Sequence, residues 1–359
     1  MGTLGAVTAP EEPVLLDPPV DGIDVPRVSR WLTDHVRGAR GPYRFDVMAG
    51  GHSNLTFRVV DAGGGEYVLR RPPLGHVLAS AHDMGREHRI IAGLQHSAVP
   101  VPPALGFCAD ERVNGAPFYV MGFVEGHVVR DAAAAGALSE DARATASRSI
   151  ADTLAAIHAA DLERTGLHDL GRHEGYVARQ LKRWYGQWRQ QHTRELPALD
   201  EVHDVLAGRI PEQGPATIVH GDYRLDNTIV TDGGEIAAVL DWEICTLGDP
   251  LADVGLLWVY WTGPDDEPSA WAGQSTTAPG FWNRGQVVER YAESSGRDLA
   301  DLDFYIAFGY WKLACILEGV YARYLGGALG RRDPAELEPF RQQVDRAAEL
   351  AAETVAAMP

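Results

Sequence analysis

Two aspartates and an asparagine stand at a spacing that can do chemistry. Asp222 ends His220-Gly221-Asp222 behind the short apolar run Ile218–Val219, and Asn227 lies five residues further on. Asp241 closes a second apolar run, Ile236 to Leu240. Ile229–Val230 and Ile236–Leu240 flank Asp232-Gly233-Gly234, so β-branched stretches around a Gly turn predict a hairpin. The three oxygen-bearing side chains then meet at neighbouring loop positions beside one strand pair. Phosphoryl transfer needs such a set: a carboxylate to position and deprotonate a hydroxyl, and an Asn and an Asp to hold magnesium against ATP phosphates. Each piece alone has a plainer use, as a loop, a simple hairpin, or a turn around a buried indole at Asp241-Trp242-Glu243. Their joint order carries the reading.

The chain that must position them has 359 residues, 45% hydrophobic and 23% charged, enough for two lobes with ample core. Cys108, Cys245 and Cys315 are scattered, which indicates neither a disulfide framework nor a zinc site. There is no apolar run of about 18 residues, so no membrane span is expected. The opening MGTLGAVTAPEEP lacks the basic start and apolar core of a secretory signal, and the cytoplasm is the expected location. A formal net charge of −18 disfavours nucleic acid as a partner and requires a local positive patch for ATP.

The stretch Thr217 to Asp253 resembles the catalytic and metal loops of the aminoglycoside phosphotransferase-like family, which writes HGD where protein kinases write HRD. That resemblance implies an α+β, protein-kinase-like fold, with a strand-rich N-lobe and a helical C-lobe. It implies Asp222 as catalytic base and Asn227 and Asp241 as magnesium ligands. The boundaries expected on this basis are a flexible arm over 1–26, a nucleotide-binding N-lobe over 27–124, and a catalytic and acceptor-binding C-lobe over 125–359.

Within the N-lobe, Val28, Trp31, Leu32 and Val36 predict an amphipathic helix over Arg27 to Val36. Gly50-Gly51 sits between two strand-like runs, where a Gly step lets backbone N–H groups approach a phosphate; a hairpin turn would use it equally well. Family position makes Gly50 to Asn54, with Gly51 and Ser53, the lid over the phosphates. The strand Tyr67-Val68-Leu69-Arg70 matches the one on which kinases carry a phosphate-binding lysine. Arg70 stands there instead, and Arg71 leaves the assignment open by one residue. Arg keeps the charge and can grip phosphate bidentately. Glu87, on a helix expected over Ala79 to Gln95, is its candidate ion-pair partner. Leu105–Ala109 and Pro117–Val124 predict a strand pair around Asn114-Gly115. The run Met121, Phe123 and Val124 is the expected hinge that meets adenine.

From Leu138 the pattern turns helical, with His158 read as a satisfied core histidine and a helix over Glu174 to Gln191. Arg224 is a candidate for neutralising charge on the transferred phosphoryl group; an ion pair with Asp226 or Glu243 is the alternative. His220 is expected to orient the loop backbone. The Gly175-Tyr176 to Trp184 segment, the Tyr-Val-Leu-Arg strand and the Asp-Trp-Glu loop resemble the family branch fused to, or encoded with, acyl-CoA dehydrogenases. That branch suggests a hydroxyacyl acceptor, free or as its CoA thioester, with Arg179, Lys182 and Arg183 available for anionic charge. Trp258, Trp261, Trp271 and Trp282 cluster around the expected loop Thr262 to Gly280, where the family builds its acceptor pocket. Rival readings are an aminoglycoside or sugar kinase and a non-catalytic nucleotide-binding partner of an acyl-CoA dehydrogenase. The final helix, Pro334 to Ala357, is expected to pack on the lobe or form a homodimer contact.

Overall fold

The computed structural model describes residues 20–48, 54–74, 83–267, 271, 273–327 and 334–358. Gly50, Gly51 and Ser53 therefore lie outside the described residues, as does most of the expected arm. Residues 20–26 are not loose: Ile23 is buried, Asp24 caps the first helix, and the Asp24 N–H donates to Asn114 Oδ1 at 2.9 Å.

Helix α1 (Val25–His35) has Pro26 in its first turn, where a missing N–H costs nothing. It covers one face of an antiparallel sheet of β1 (Arg44–Val47), β2 (Leu55–Val60), β3 (Glu66–Arg71), β4 (Ala104–Cys108) and β5 (Phe118–Gly122), in the order β1-β2-β3-β5-β4. Strand period decides which residue faces where. Leu69, Phe118 and Val120 pack under α1 with Val28 and Leu32, while Val68, Tyr119 and Met121 face the other way, toward α2 (Met84–Leu94). Between β4 and β5 the structure inserts α3 (Glu111–Asn114), ended by Gly115 at φ 72°. Asn114-Gly115 thus closes a helix, not a hairpin turn; a left-handed glycine serves either purpose.

The C-lobe begins with α4 (Ala132–Gly136) and α5 (Glu140–His158), continues through α6 (Tyr176–Gln191) and α7 (Pro197–Gly208), and then returns to strands. β6 (Thr217–Val219) precedes the HGD turn, and β7 (Thr228–Val230) and β8 (Ile236–Val239) form the expected hairpin. β9 (Thr246–Gly248) pairs back onto β6. Helices α8 (Leu251–Tyr260), α9 (Arg284–Ser295), α10 (Leu302–Leu325) and α11 (Pro334–Ala357) complete the lobe. α11 buries Leu337, Val344, Ala347 and Ala351, and its principal helix contact is α10, so it packs on the lobe. Arg194 fastens this end by pairing with Glu318 at 3.0 Å and Asp345 at 2.6 Å. No described helix is long and apolar enough to cross a membrane.

Candidate active site

Asp222 sits in a turn whose backbone is tied on every side. The His220 and Gly221 N–H groups donate to the Asp253 carboxylate at 2.7 and 2.8 Å. The Asp222 N–H meets His220 Nδ1 at 3.3 Å, which makes that nitrogen the acceptor and leaves Nε2–H to donate to the Leu240 carbonyl at 2.9 Å. Both ring nitrogens of His220 are spent on backbone, so it orients the loop and moves no proton. Gly221 is required by its φ of 85°. Burial opposes a charge on Asp253, but hydrogen bonding to His158, the nearby His158 and His220 rings and the Gly221 amide hold its carboxyl below the usual range. His158 completes the brace with Nδ1 at 2.8 Å from the Tyr291 hydroxyl.

The hairpin supplies the second oxygen group. Asn227 Nδ2 donates to Asp222 O at 2.8 Å and to Asp222 Oδ2 at 2.9 Å, leaving the Asn227 amide oxygen as an acceptor. The Leu240 N–H bonds the Asn227 carbonyl at 2.8 Å, which sets Asp241 one residue past the strand pairing. Asp241 holds φ at 62°, a conformation that costs a non-glycine residue about 1–3 kcal/mol.

From the sheet, Arg70 reaches across. Its Nη1 lies 2.5 Å from Glu87 Oε1 and its Nη2 lies 3.2 Å from Asp241 Oδ1. Burial works against both charges; Tyr119, Glu87 and Asp241 nevertheless hold the Arg70 guanidinium above its usual value, while burial pushes the Glu87 carboxyl up despite Arg70. The Trp242 N–H also donates to Glu87, so α2 is tied to the loop after β8. Arg70 Nε, Glu87 Oε2 and the Tyr119 hydroxyl are buried without a close hydrogen-bond partner among the described residues, and Tyr119 stands beside both charged groups. Arg71 is directed elsewhere, to the Gly22 and Asn114 carbonyls at 2.5 and 3.1 Å, so of the two arginines it is Arg70 that faces Glu87 and Asp241.

Sheet and hairpin enclose a cleft of about 250 Å³ lined by Arg70, Met121, Phe123, Val124, Asn227 and Asp241. Val68, Ile229 and Leu240 make its walls apolar, as a flat heteroaromatic ring requires. Phe123 carries Arg58 over its ring at 5.0 Å, and its N–H is bonded to the Glu66 carbonyl at 3.2 Å. Asn54, which precedes β2, donates to Glu243 at 3.2 Å.

On the other side of Asp222, Arg224 pairs with Asp226 at 2.7 Å, donates to the Trp271 carbonyl at 3.1 Å and lies 4.7 Å from the Tyr260 ring centroid. Tyr260 was not expected from the sequence. Burial pushes its phenol above the ordinary value and its hydroxyl is hydrogen-bonded to Asp222. Lys312, also unforeseen, donates to the Gly221 carbonyl at 3.0 Å. The basic group on α6 divides: Arg183 lies 5.0 Å from the Trp184 ring centroid, and that ring faces Lys312, whereas Arg179 turns back to the Arg172 carbonyl at 3.0 Å and Lys182 is exposed. Trp271 instead lines a separate hollow of about 630 Å³ with Tyr310, Arg284 and Arg346.

The model of the phosphotransferase enzyme family matches residues 45–303. Acyl-CoA dehydrogenase family member 10 of Mus musculus is 36% identical over 293 residues, which are 80% of this chain and 27% of that protein. The chain spans 27%, 36% and 41% of the first curated relatives it matches. A crystal structure from Ralstonia eutropha JMP134, provisionally called an aminoglycoside phosphotransferase, superposes with TM-score 0.79 at 31% identity, covering 94% of this chain and 99% of that one. Aminoglycoside phosphotransferase APH(4)-Ia, in ternary complex with AMP-PNP and hygromycin B, shares the fold at TM-score 0.59 and 17% identity, covering 92% of this chain and 99% of its own. With its α+β, kinase-like two-lobe architecture, the chain belongs to the phosphotransferase enzyme family.

Proposed function

We propose that this protein transfers the γ-phosphoryl group of ATP to a hydroxyl on a small molecule. The observation that carries the reading is one apolar cleft lined by Arg70, Asn227 and Asp241, with Asn227 bonded to Asp222 and Arg70 paired to both Glu87 and Asp241. Adenine occupies the Met121–Val124 end of that cleft. Because the Phe123 N–H is already bonded, the adenine contact falls to backbone from Val124 onward. Asp222, oriented by Asn227 and Tyr260, takes the acceptor's proton, and its fixed position supplies the alignment on which such transfer depends.

The donor set fits magnesium. Asn227 and Asp241 offer oxygen only, and the described residues contain no cluster of three or more His, Cys, Asp or Glu that would close a cage. Magnesium is commonly held by one or two carboxylates plus substrate phosphates and water. Bound there, it would neutralise charge on the phosphates. Arg70, whose Nη2 is on Asp241, would then share that nitrogen with phosphate oxygens while Nη1 stays on Glu87.

For the acceptor, the reading is a hydroxyacyl compound, free or as its CoA thioester. It rests on the name of the acyl-CoA dehydrogenase relatives and on the Trp184 ring, 5.8 Å from the Lys312 ammonium that holds the Gly221 carbonyl before Asp222. The test is ADP release with magnesium across a panel of hydroxy acids, their thioesters, sugars and aminoglycosides. Fastest turnover of hydroxyacyl compounds is expected; a sugar or aminoglycoside in first place overturns the acceptor, and release with none overturns the transfer itself.

A further inference from the structure

Helix α10 is apolar over most of its length and buries an unbroken run from Phe304 to Cys315, yet one lysine stands inside it. Lys312 is 6% exposed. Among the described residues its ammonium makes no ion pair within 4 Å, and the Gly221 carbonyl at 3.0 Å is its one hydrogen-bond acceptor. The Trp184 ring centroid lies 5.8 Å from Nζ. An isolated buried cation is costly, and an apolar side chain of similar length would fill the same space without that penalty. A neutral donor would suffice to satisfy one carbonyl. The charge therefore needs a reason, and its surroundings provide one. Burial lowers the lysine's pKa, but Asp222 and Asp253 both favour its charged form.

The carbonyl that Lys312 holds belongs to the peptide joining Gly221 to Asp222. That peptide is gripped at its other end, where the Asp222 N–H meets His220 Nδ1 at 3.3 Å. Gly221, at φ 85°, has no side chain of its own to hold the turn. We propose that Lys312 is a positioning residue of the phosphotransfer centre, its ammonium fixing the Gly221–Asp222 peptide and offsetting the carboxylate charge that the γ-phosphate must approach. This rests on Asp222 being the base. Lys312 touches neither the nucleotide cleft nor the metal pair, so its effect is confined to the turnover step.

The experiment compares Lys312→Met, which keeps length and removes charge, with Lys312→Gln, which retains a neutral donor, in the full chain. Misplacement of a catalytic group by about 1 Å can cost on the order of 100-fold. For Lys312→Met the expected result is a kcat lower by about 10- to 100-fold, with KM for ATP within about twofold and Tm equal to or above wild type. Lys312→Gln is expected to fall between Lys312→Met and wild type, and it decides the question if the Met variant does not fold. Wild-type kcat in the neutral variants overturns the proposal. So does a kcat loss matched by loss of Tm and nucleotide affinity, which marks a purely structural lysine. Asp222→Asn in the same assay separates the two levels: activity there removes the base assignment itself, whereas inactivity there beside fully active Lys312 variants removes only the lysine.

Discussion

The two sides of Asp222 are built differently. Toward the sheet, Arg70, Glu87 and Asp241 form one ion-paired set drawn from a strand, a helix and a hairpin, above an apolar cleft. Away from it, Tyr260, Arg224, Lys312 and Trp184 come singly from the end of α8, the catalytic loop, the middle of α10 and the middle of α6. Buried polar atoms without a partner among the described residues occur on both sides, Arg70 Nε and Glu87 Oε2 on the first and Arg224 Nε on the second, but only the first joins its charges into one set. A side that meets the same phosphates in every cycle can be assembled from a fixed register of charges. On the proposed reading the other side meets the acceptor through Tyr260, Arg224 and Trp184, which come from separate elements and would carry selectivity, while Lys312 acts on the Gly221–Asp222 peptide.

If this contrast is right, substitutions on the two sides separate in kinetics. The largest effect is expected for Asp241→Ala, which should lose magnesium-dependent ATP binding, measured by calorimetric titration with and without the metal; unchanged binding with magnesium would place the metal elsewhere. Arg70→Ala comes next. It strips a phosphate contact and leaves Glu87, 1% exposed, without its ion-pair partner. Breaking a buried pair costs about 3–5 kcal/mol. A lower Tm and a KM for ATP raised by roughly tenfold or more are expected together, and an unchanged KM would remove Arg70 from the phosphate site. Tyr260→Phe should be milder. It frees Asp222 of one hydrogen bond, so kcat should fall by roughly 3- to 10-fold with ATP affinity intact, in line with about 1 kcal/mol for such a bond. A Tyr260 effect that appeared in ATP affinity would blur the two sides into one.

The same contrast governs what could be read from the sequence. The grouping of Asp222, Asn227 and Asp241 was legible because a Gly-turned hairpin fixes their spacing, whereas the pairing of Arg70 with Glu87 was expected only from the resemblance to the kinase-like family, and the ion pair forms. Tyr260 was not legible: an aromatic at the end of an apolar helix reads as core until its hydroxyl is seen against Asp222. Lys312 did carry a signal, a single cation within a long apolar run, but the apolarity of its neighbours assigned the segment to packing. β9 escaped because three residues are too few for a period, and α7 because its buried stripe, Leu199, Val202 and Leu206, is short. The strand pair expected around Asn114-Gly115 is present as β4 and β5, but the short helix α3 between them was not legible, since a left-handed glycine signal fits a helix end as well as a turn.

The claim on which the rest depends is that Asp222 acts on the acceptor and not on the nucleotide. The measurement is paired: turnover of Asp222→Asn with the best acceptor from the panel, and its affinity for ATP with magnesium. The account predicts turnover lower by orders of magnitude with ATP affinity close to wild type, because the carboxylate faces the hydroxyl while the adenine cleft and the Arg70 set are untouched. Retained turnover in Asp222→Asn would contradict it outright.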